Sequence, residues 1–209
     1  EKGQIIWSDQ LLSLFLPEII KNGEDILFDV KCSKSLEDMI IKYGGNPIMW
    51  KTGHSLIKEK MIELDCKLGG EMSGHIFFAD DYFGYDDATY VAARLVQLLS
   101  KTDKKLSKLT SKIPIYHSTP ELRMEAENDN EKFRITEEAV KYFSSKFDCS
   151  TIDGVRIKFE NGWGLVRASN TQPVIVCRFE ANSSENKDKI QDLVLNKLKD
   201  FGKLKLERY

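Results

Sequence analysis

The sequence predicts an α/β domain, with a mixed sheet and crossover helices, followed by a smaller α+β domain. In the first half, short apolar runs alternate with amphipathic segments of helical period, which is typical of a sheet with crossover connections. In the second half, strand-like runs follow one another across short turns, which is typical of antiparallel hairpins. Because the composition changes between Pro114 and Pro120, we predict an α/β domain over residues 1–113, a linker or hinge over 114–120 and an α+β domain over 121–209.

The elements of the first domain are predicted from apolar spacing, helix caps and glycine stops. Pro17 is expected to bend the first helix, and Ser33 or Ser35 to cap the second. The predicted elements are a helix at 8–21, a strand at 26–30, a helix ending at 43, a strand at 47–50, a helix at 55–64, a glycine-rich turn from 68 that runs into an apolar strand ending at 78, a helix at 86–100 and a short amphipathic segment at 106–109. The helix at 86–100 carries an apolar face made of Ala88, Val91, Ala92, Leu95, Val96 and Leu99.

The second domain is predicted from period-two apolar runs and turn residues. The predicted elements are a strand near 121–127, a helix at 136–146, strands at 155–160, 164–168 and 173–181, and a final helix at 184–201. The turn at Asn161-Gly162 and the turn at Ser169 are expected to join hairpin strands, so this half is predicted to be antiparallel.

Composition and charge restrict the classes of function. The chain has 209 residues, of which 41% are hydrophobic and 31% charged, as in ordinary globular proteins. A formal net charge of −2 gives no general reason to bind nucleic acid or a membrane, so neither partner is expected and any anion site must be local. The widely spaced cysteines form no CxxC or metal-ligand pair, which favours reduced thiols in a cytoplasmic protein. They are Cys32, Cys66, Cys149 and Cys177.

The ends of the chain and its apolar runs predict neither a membrane span nor an N-terminal targeting segment. The longest apolar runs are too short to cross a bilayer, and no segment combines basic residues, an apolar stretch and a cleavage site. The chain opens at Glu1 without an initiator Met, so we expect a fragment of a longer protein.

A polar turn near the C-terminus is the first candidate site. Arg167 offers a rigid fork of donors that matches a phosphate, and Ser169, Asn170 and Thr171 add further donors in a turn that can curve around an anion. These residues are also ordinary turn formers, so a simple hairpin turn is the alternative.

A second group of polar residues lies in the first domain. Glu71 and Ser73, flanked by glycines, could hold sugar hydroxyls, or could simply face water in a turn. His54 and His75 also lie in glycine-flanked turns, where each could bind a phosphate or move a proton, or be structural. Lys31 follows a predicted strand, where ligands gather in α/β sheets, although a solvated lysine is equally ordinary there.

The familiar motifs of nucleophilic and metal catalysis are missing from the sequence. No cysteine has a His partner in a recognisable motif, and neither GxSxG nor a Walker sequence is present. The acidic residues form no metal-binding loop of the usual type. The sequence therefore offers recognition groups for an anionic, hydroxyl-rich ligand but no evident nucleophile.

Four segments, taken in order, resemble motifs of the α-D-phosphohexomutase family, closest to its bacterial phosphomannomutase/phosphoglucomutase branch. They are Phe28-Asp29-Val30-Lys31-Cys32-Ser33, Trp50-Lys51-Thr52-Gly53-His54-Ser55-Leu56-Ile57-Lys58, Gly70-Glu71-Met72-Ser73-Gly74-His75 and Gly162-Trp163-Gly164-Leu165-Val166-Arg167-Ala168-Ser169-Asn170-Thr171-Gln172-Pro173. The resemblance covers essentially the whole chain. It implies the third and fourth of four domains, the fourth similar to the TATA-box-binding-protein fold.

The resemblance also implies a reaction and the domains that carry its reactive groups. Family members move phosphate between the 1 and 6 positions of a hexose through a bisphosphorylated sugar, using a phosphoserine in domain one and Mg²⁺ on an aspartate-rich loop in domain two. Neither loop occurs in this sequence. The expected cofactors, Mg²⁺ and a hexose 1,6-bisphosphate activator, therefore belong to the full-length enzyme, and the expected partners are hexose phosphates and the N-terminal domains of the same polypeptide.

The resemblance implies a role for each candidate residue. Glu71 and Ser73 would hold sugar hydroxyls. Lys31, His54 and His75 would face the reacting end, with one of the histidines assisting proton transfer. The non-transferring phosphate would be bound by Arg167, Ser169, Asn170 and Thr171, whereas Gln172 receives no role. On this basis the chain is expected to be inactive alone, and a stand-alone non-catalytic phosphosugar-binding module is the alternative.

Overall fold

The computed structural model describes residues 1–207 and divides the chain into two compact units, with the boundary between Ile115 and Tyr116. Within residues 1–207, no helix is long and apolar enough to cross a membrane. The four cysteines are free thiols.

The first unit is a mixed sheet with helices. Its elements are α1 Ser8–Ile19, β1 Asp25–Asp29, α2 Lys34–Lys42, β2 Asn46–Trp50, α3 His54–Leu64, β3 Leu68–Gly70, β4 Ile76–Phe78, α4 Ala88–Ser100 and α5 Leu106–Thr110. The strand order is β2-β1-β3-β4. Strand β1 is parallel to both β2 and β3, whereas β4 is antiparallel to β3. The predicted mixed sheet with crossover helices is confirmed.

Parallel pairing brings the carboxyl ends of β1, β2 and β3 to one edge of this sheet. Asp29 at the end of β1 pairs with Trp50 at the end of β2, and Phe28 pairs with Gly70 at the end of β3. The segments that follow these strands must therefore lie side by side. This edge is the setting of the candidate site in the first unit.

Apolar side chains cover both faces of the first sheet. One face packs against α1 and α2 through a cluster that includes Leu12, Phe15, Leu36 and Phe28, all essentially without solvent exposure. On the opposite face, residues of α3 pack in a smaller cluster on Leu27 and Phe77. Burial on both faces explains why β1 reads as a continuous apolar run rather than an alternating one.

Strand β3 is a correction to the sequence prediction, which placed Leu68–Gly70 in a glycine-rich turn. These residues form a buried strand between β1 and β4. Here glycine serves close packing, because a Cβ at Gly69 would lie 2.6 Å from the sulfur of Met61 on α3. The sequence alone does not distinguish glycines that allow a helix to pack closely from glycines that form a turn.

Helix α4 corrects a second expectation. Val91 and Leu95 of the predicted apolar face pack against the core, but Ala92 and Val96 are exposed. The fully buried residue of this helix is Arg94, which forms an ion pair of 2.9 Å with Asp80. The apolar residues of α4 are thus spread around the helix, and fewer of them face the core than the spacing predicts.

The second unit is an antiparallel sheet with two helices. Its elements are β5 His117–Ser118, β6 Leu122–Glu125, α6 Asp129–Ser144, β7 Cys149–Ser150, β8 Val155–Phe159, β9 Gly162–Ala168, β10 Val174–Ala181, α7 Ser184–Phe201 and β11 Lys205–Leu206. The strand order is β11-β6-β10-β9-β8-β7, and β5 also pairs with β10. Both predicted hairpins, β8–β9 and β9–β10, are antiparallel as expected. The short strands β5, β7 and β11 were not predicted.

Helix α6 begins well before the predicted start at Thr136. Asn128 is its N-cap, with a side chain that accepts a hydrogen bond of 3.0 Å from the backbone N–H of Glu131. The first turns are too polar to show a helical period, although they include the buried residues Lys132 and Ile135. This missed segment contributes to the second candidate site.

We predict that Gly154→Ala destabilises the second unit. Gly154 has φ +70, and a Cβ there would lie 2.2 Å from the carbonyl oxygen of Val166 and 2.7 Å from Cα of Arg167. A clash with backbone atoms adds to the unfavourable φ, so the free energy of unfolding should fall by more than about 2 kcal/mol, as measured by urea denaturation.

Gly44→Ala is the matched control. Gly44 has φ +82 with no atom within 4 Å of its Cβ position. Only the conformational cost of about 1 kcal/mol should appear there. An equal loss of unfolding free energy in Gly154→Ala and Gly44→Ala would contradict the predicted clash at Gly154.

Candidate functional site

The buried carboxylate of Asp29 ties together the segments that follow the three parallel strands. Its oxygens accept hydrogen bonds from the hydroxyl of Thr52 at 3.1 Å and from the backbone N–H of Met72 at 3.2 Å. The thiol of Cys32 donates to it at 3.2 Å, and Nζ of Lys31 lies 3.6 Å away. Asp29 has no solvent exposure, so its charge depends on these donors.

Glu71 follows β3 and is held close to the same carboxylate. Its Oε2 accepts a hydrogen bond of 2.9 Å from the backbone N–H of Gly53, in the segment after β2. Within residues 1–207, Oε1 of Glu71 is buried and has no hydrogen-bond partner. The residue is only 3% exposed, so the alternative in which Glu71 simply faces water does not fit the structure.

The pKa of Glu71 is raised above the ordinary value for glutamate. Burial is the largest cause, followed by the nearby charge of Asp29, while the hydrogen bond from Gly53 acts in the opposite direction. A buried carboxylate oxygen without a donor is well suited to accept a hydrogen bond from a ligand hydroxyl. Such a contact would also relieve the cost of burying the charge.

The two histidines lie beside each other, with ring centroids 5.7 Å apart. Nδ1 of His75 lies 2.7 Å from a carboxylate oxygen of Asp86. Because an ionised carboxylate only accepts hydrogen bonds, Nδ1 of His75 carries the hydrogen in this contact. His54 is the exposed first residue of α3, so both rings are within reach of solvent or a bound molecule.

The structure therefore brings four of the predicted residues to one edge: Lys31, His54, Glu71 and His75. Lys31 is 5% exposed, which does not fit the alternative of a solvated lysine. Ser73 is exposed in the turn between β3 and β4, a turn closed by the hydrogen bond from the N–H of Glu71 to the carbonyl of His75 at 2.8 Å.

In the second unit, Arg167 is a buried arginine at the end of β9. Its Nε donates to a carboxylate oxygen of Asp153 at 2.8 Å. Among the described residues, 1–207, no group forms a hydrogen bond with its buried Nη2. The guanidinium is thus fixed in position by Asp153 and retains donor capacity for an anion.

The turn after β9 places the remaining candidates next to Arg167. Ser169 is buried, and its hydroxyl accepts a hydrogen bond from the backbone N–H of Thr171 at 3.3 Å. Asn170 and Thr171 are exposed at the tip. The turn joins the hairpin strands β9 and β10, which agrees with the alternative of a simple hairpin turn. Its buried arginine and buried hydroxyl are nevertheless unusual for a turn with no other role.

Gln172, to which the sequence assigned no role, contacts other parts of the second unit. Its side chain is hydrogen-bonded to Arg123 and its carbonyl to Lys132. Sequence reasoning also missed the carboxylates of Asp29, Asp86 and Asp153, which orient predicted site residues. Asp86 and Asp153 lie 11 and 14 positions from His75 and Arg167, and no local signal distinguishes them from surface aspartates. Asp29 lies in the first of the four motifs, but the sequence assigned it no role.

No metal centre is evident in the part of the chain that the structure describes. Residues 1–207 contain no group of three or more His, Cys, Asp or Glu side chains that could hold an ion.

Family models match both units of the chain. The model for phosphoglucomutase/phosphomannomutase, alpha/beta/alpha domain III, matches residues 7–116, and the model for the phosphoglucomutase/phosphomannomutase C-terminal domain matches residues 120–197. The chain belongs to the phosphoglucomutase/phosphomannomutase family. The resemblance of the four motifs to phosphohexomutases is thereby confirmed.

Curated relatives of this family align with nearly the whole chain. Phosphomannomutase/phosphoglucomutase of Pseudomonas aeruginosa is 46% identical over 200 residues, which are 94% of this chain and 43% of that protein. Phosphoglucomutase of Neisseria gonorrhoeae is 40% identical over 194 residues, 91% of this chain and 42% of that protein. The chain thus spans less than half the length of these relatives.

The chain is also similar to parts of solved structures. A phosphoglucomutase/phosphomannomutase family protein from Burkholderia thailandensis is 39% identical, with a TM-score of 0.86 over 97% of this chain and 44% of that one. N-acetylphosphoglucosamine mutase of Aspergillus fumigatus, solved with GlcNAc-6P and magnesium, is 14% identical with a TM-score of 0.70 over 97% of this chain and 46% of that one. The second likeness shows the fold alone.

We predict that Glu71→Gln gains stability relative to the wild-type chain as the pH rises. Because the pKa of Glu71 is raised in the folded state, the folded protein holds its proton at a pH where the unfolded chain has lost it. The contribution of Glu71 to the free energy of unfolding must then fall as pH rises from the unfolded pKa, about 4.3, through the folded value, and a glutamine cannot contribute this loss.

Urea denaturation between about pH 4 and pH 7 measures this difference. Glu59→Gln, at an exposed position of α3, is the control and should show little pH dependence relative to wild type. A Glu71→Gln difference that stays constant over the range would contradict the raised pKa.

Proposed function

We propose that this chain is the sugar- and phosphate-recognition half of a phosphohexomutase that interconverts hexose 1-phosphate and hexose 6-phosphate through a bisphosphorylated intermediate. The observation that carries the proposal is Arg167, a buried guanidinium that is fixed by Asp153 and retains donor capacity in a turn of polar residues. A planar fork of donors matches the oxygens of a phosphate.

In this proposal the second unit binds the phosphate that does not react. Arg167 supplies the charge, and Ser169, Asn170 and Thr171 add hydroxyl, amide and backbone donors around the anion. The burial of Arg167 and Ser169 supports the assignment, because hydrogen bonds to a charged group are stronger where water is excluded.

The first unit in this proposal binds the sugar and the reacting end. Glu71 and Ser73 hold hydroxyls, which is supported by the buried, unsatisfied oxygen of Glu71 within residues 1–207. Lys31, held by Asp29, contributes positive charge towards the phosphate, and His54 or His75 moves a proton. The contact between His75 and Asp86 supports a role for Nε2 in that transfer.

The chemistry of phosphoryl transfer is assigned to other parts of the polypeptide. The transition state needs a metal ion and a phosphoryl donor, and we propose that Mg²⁺ and the phosphoserine are held by segments that precede these two domains in longer relatives. A hexose 1,6-bisphosphate is the proposed activator. The protein is proposed to act in the cytoplasm, with its cysteines reduced.

A non-catalytic phosphosugar-binding module is the second candidate. It is favoured by the same observation, because the groups that bind phosphate and hydroxyls are built within these residues. A natural gene that encodes only this chain would support it over the recognition half of an enzyme.

We predict that Arg167→Ala weakens the binding of glucose 1,6-bisphosphate by about tenfold or more, because a buried charge-assisted contact is lost. Isothermal titration calorimetry on the 209-residue chain measures the affinity. Arg134→Ala is the matched control, since it removes the same charge from an exposed site on α6. Equal affinity of Arg167→Ala and wild type would remove this turn from the phosphate role.

We also predict that the chain alone shows no mutase turnover. The test supplies glucose 1-phosphate, Mg²⁺ and glucose 1,6-bisphosphate, and follows glucose 6-phosphate by a coupled dehydrogenase assay. Full-length phosphomannomutase/phosphoglucomutase of Pseudomonas aeruginosa serves as the positive control. A rate above that of the buffer would contradict the assignment of the chemistry to preceding segments.

A further inference from the structure

Lys132 lies beneath the phosphate-binding turn, which we define as Ser169 to Gln172. It belongs to the first turn of α6 and is 2% exposed. Its Nζ donates to the carbonyl oxygens of Ser169 at 2.8 Å and of Gln172 at 3.0 Å. It also donates to a carboxylate oxygen of Asp129 at 2.7 Å. An ammonium group has three N–H bonds, and these three acceptors account for all of them.

These contacts determine which way the peptide groups of the turn point. In a trans peptide the C=O and the following N–H are antiparallel, and the described chain has no cis bonds. Because the carbonyl of Ser169 points at Lys132, the N–H of Asn170 points away from it. The same ammonium fixes the carbonyl of Gln172, so both ends of the turn are held from one side.

Lys132 also affects the electrostatic potential at the turn. Its partner Asp129 is 67% exposed at the side chain, so solvent screens the negative charge much more than the buried positive one. The side chain of Lys132 is only 3% exposed. Water therefore screens the positive charge of Lys132 less than the negative charge of Asp129, and Nζ of Lys132 lies within hydrogen-bond distance of two carbonyls of the turn.

We propose that Lys132 is a positioning residue for anion binding, which orders the phosphate-binding turn through two carbonyls and adds a buried positive charge behind it. This inference rests on the proposed phosphate role of the turn. Lys132 does not contact the ligand in this proposal; it acts through the backbone that does.

Lys132→Met tests the proposal, because methionine keeps an unbranched chain of similar length but loses the charge and the three donors. Its affinity for glucose 1,6-bisphosphate, measured by calorimetry, should fall by about tenfold or more, as for the loss of a buried charged hydrogen bond. Lys141→Met, at an exposed position of the same helix, should bind as wild type does. Lys132→Arg, which keeps the charge, should recover part of the loss.

A structural role alone would lower the stability of Lys132→Met and leave its affinity unchanged. A folded Lys132→Met chain with wild-type affinity therefore overturns the inference. Failure of the wild-type chain to bind glucose 1,6-bisphosphate overturns the proposed function itself, and with it this inference. Wild-type binding that is weakened in Arg167→Ala but not in Lys132→Met overturns the inference alone.

A measurement on the wild-type chain covers the case in which Lys132→Met does not fold. The buried ammonium of Lys132 should give a slowly exchanging ¹⁵N–¹H signal by nuclear magnetic resonance, and glucose 1,6-bisphosphate should shift it, whereas the backbone amide signal of Lys141 should not move. Absence of a shift at Lys132 under saturating ligand overturns the proposal. Inorganic phosphate, used as a second probe, should produce a shift in the same signal.

Discussion

The first unit depends on one buried carboxylate at the end of β1. Asp29 has no exposure, and an ionised carboxylate in that position is tolerated only when donors surround it. Its donors come from the segments that follow all three parallel strands: Lys31 after β1, Thr52 after β2 and Met72 after β3. The sheet brings these segments to one edge, and the carboxylate fixes how they lie there. The positions of Glu71 and the histidines follow from that arrangement.

The same pairing of a nitrogen-bearing side chain with a carboxylate occurs throughout both candidate sites. Asp29 lies beside Lys31, Asp86 beside His75, Asp153 beside Arg167 and Asp129 beside Lys132. Each carboxylate holds its partner side chain in one orientation, which would lower the entropic cost of binding a ligand there. The carboxylates beside Lys31, Arg167 and Lys132 also offset part of the positive charge of these side chains, so a phosphate would be held by geometry more than by net charge. A chain with a formal net charge of −2 can thus contain local anion sites.

The sequence predicted the parts of the fold that depend on local periodicity. Helix α7 was placed at its observed bounds, because its apolar residues recur with helical spacing behind a serine cap. Strand β3 was missed because tertiary packing determines it: Gly69 leaves the space that Met61 of α3 fills. The start of α6 was missed because its early residues are polar and show no helical period. In the candidate sites, the sequence predicted residues that the structure places side by side, but it did not predict the carboxylates that orient them. Asp29 reaches Met72 across 43 positions, and Lys132 reaches Ser169 across 37.

Four buried side-chain atoms have no hydrogen-bond partner within residues 1–207, and two of them belong to the candidate sites, one in each unit; the other two are Nε of Arg94 and Oγ of Ser150. Oε1 of Glu71 is a buried acceptor without a donor, and Nη2 of Arg167 is a buried donor without an acceptor. Each costs folding stability, because a buried polar group that forms no hydrogen bond has lost its water without replacement. In the first unit a ligand hydroxyl could donate to Oε1 of Glu71, and in the second unit an anionic oxygen could accept from Nη2 of Arg167. Recognition of this kind needs no nucleophile, so under the proposed function it can be separate from the metal and the phosphoryl donor.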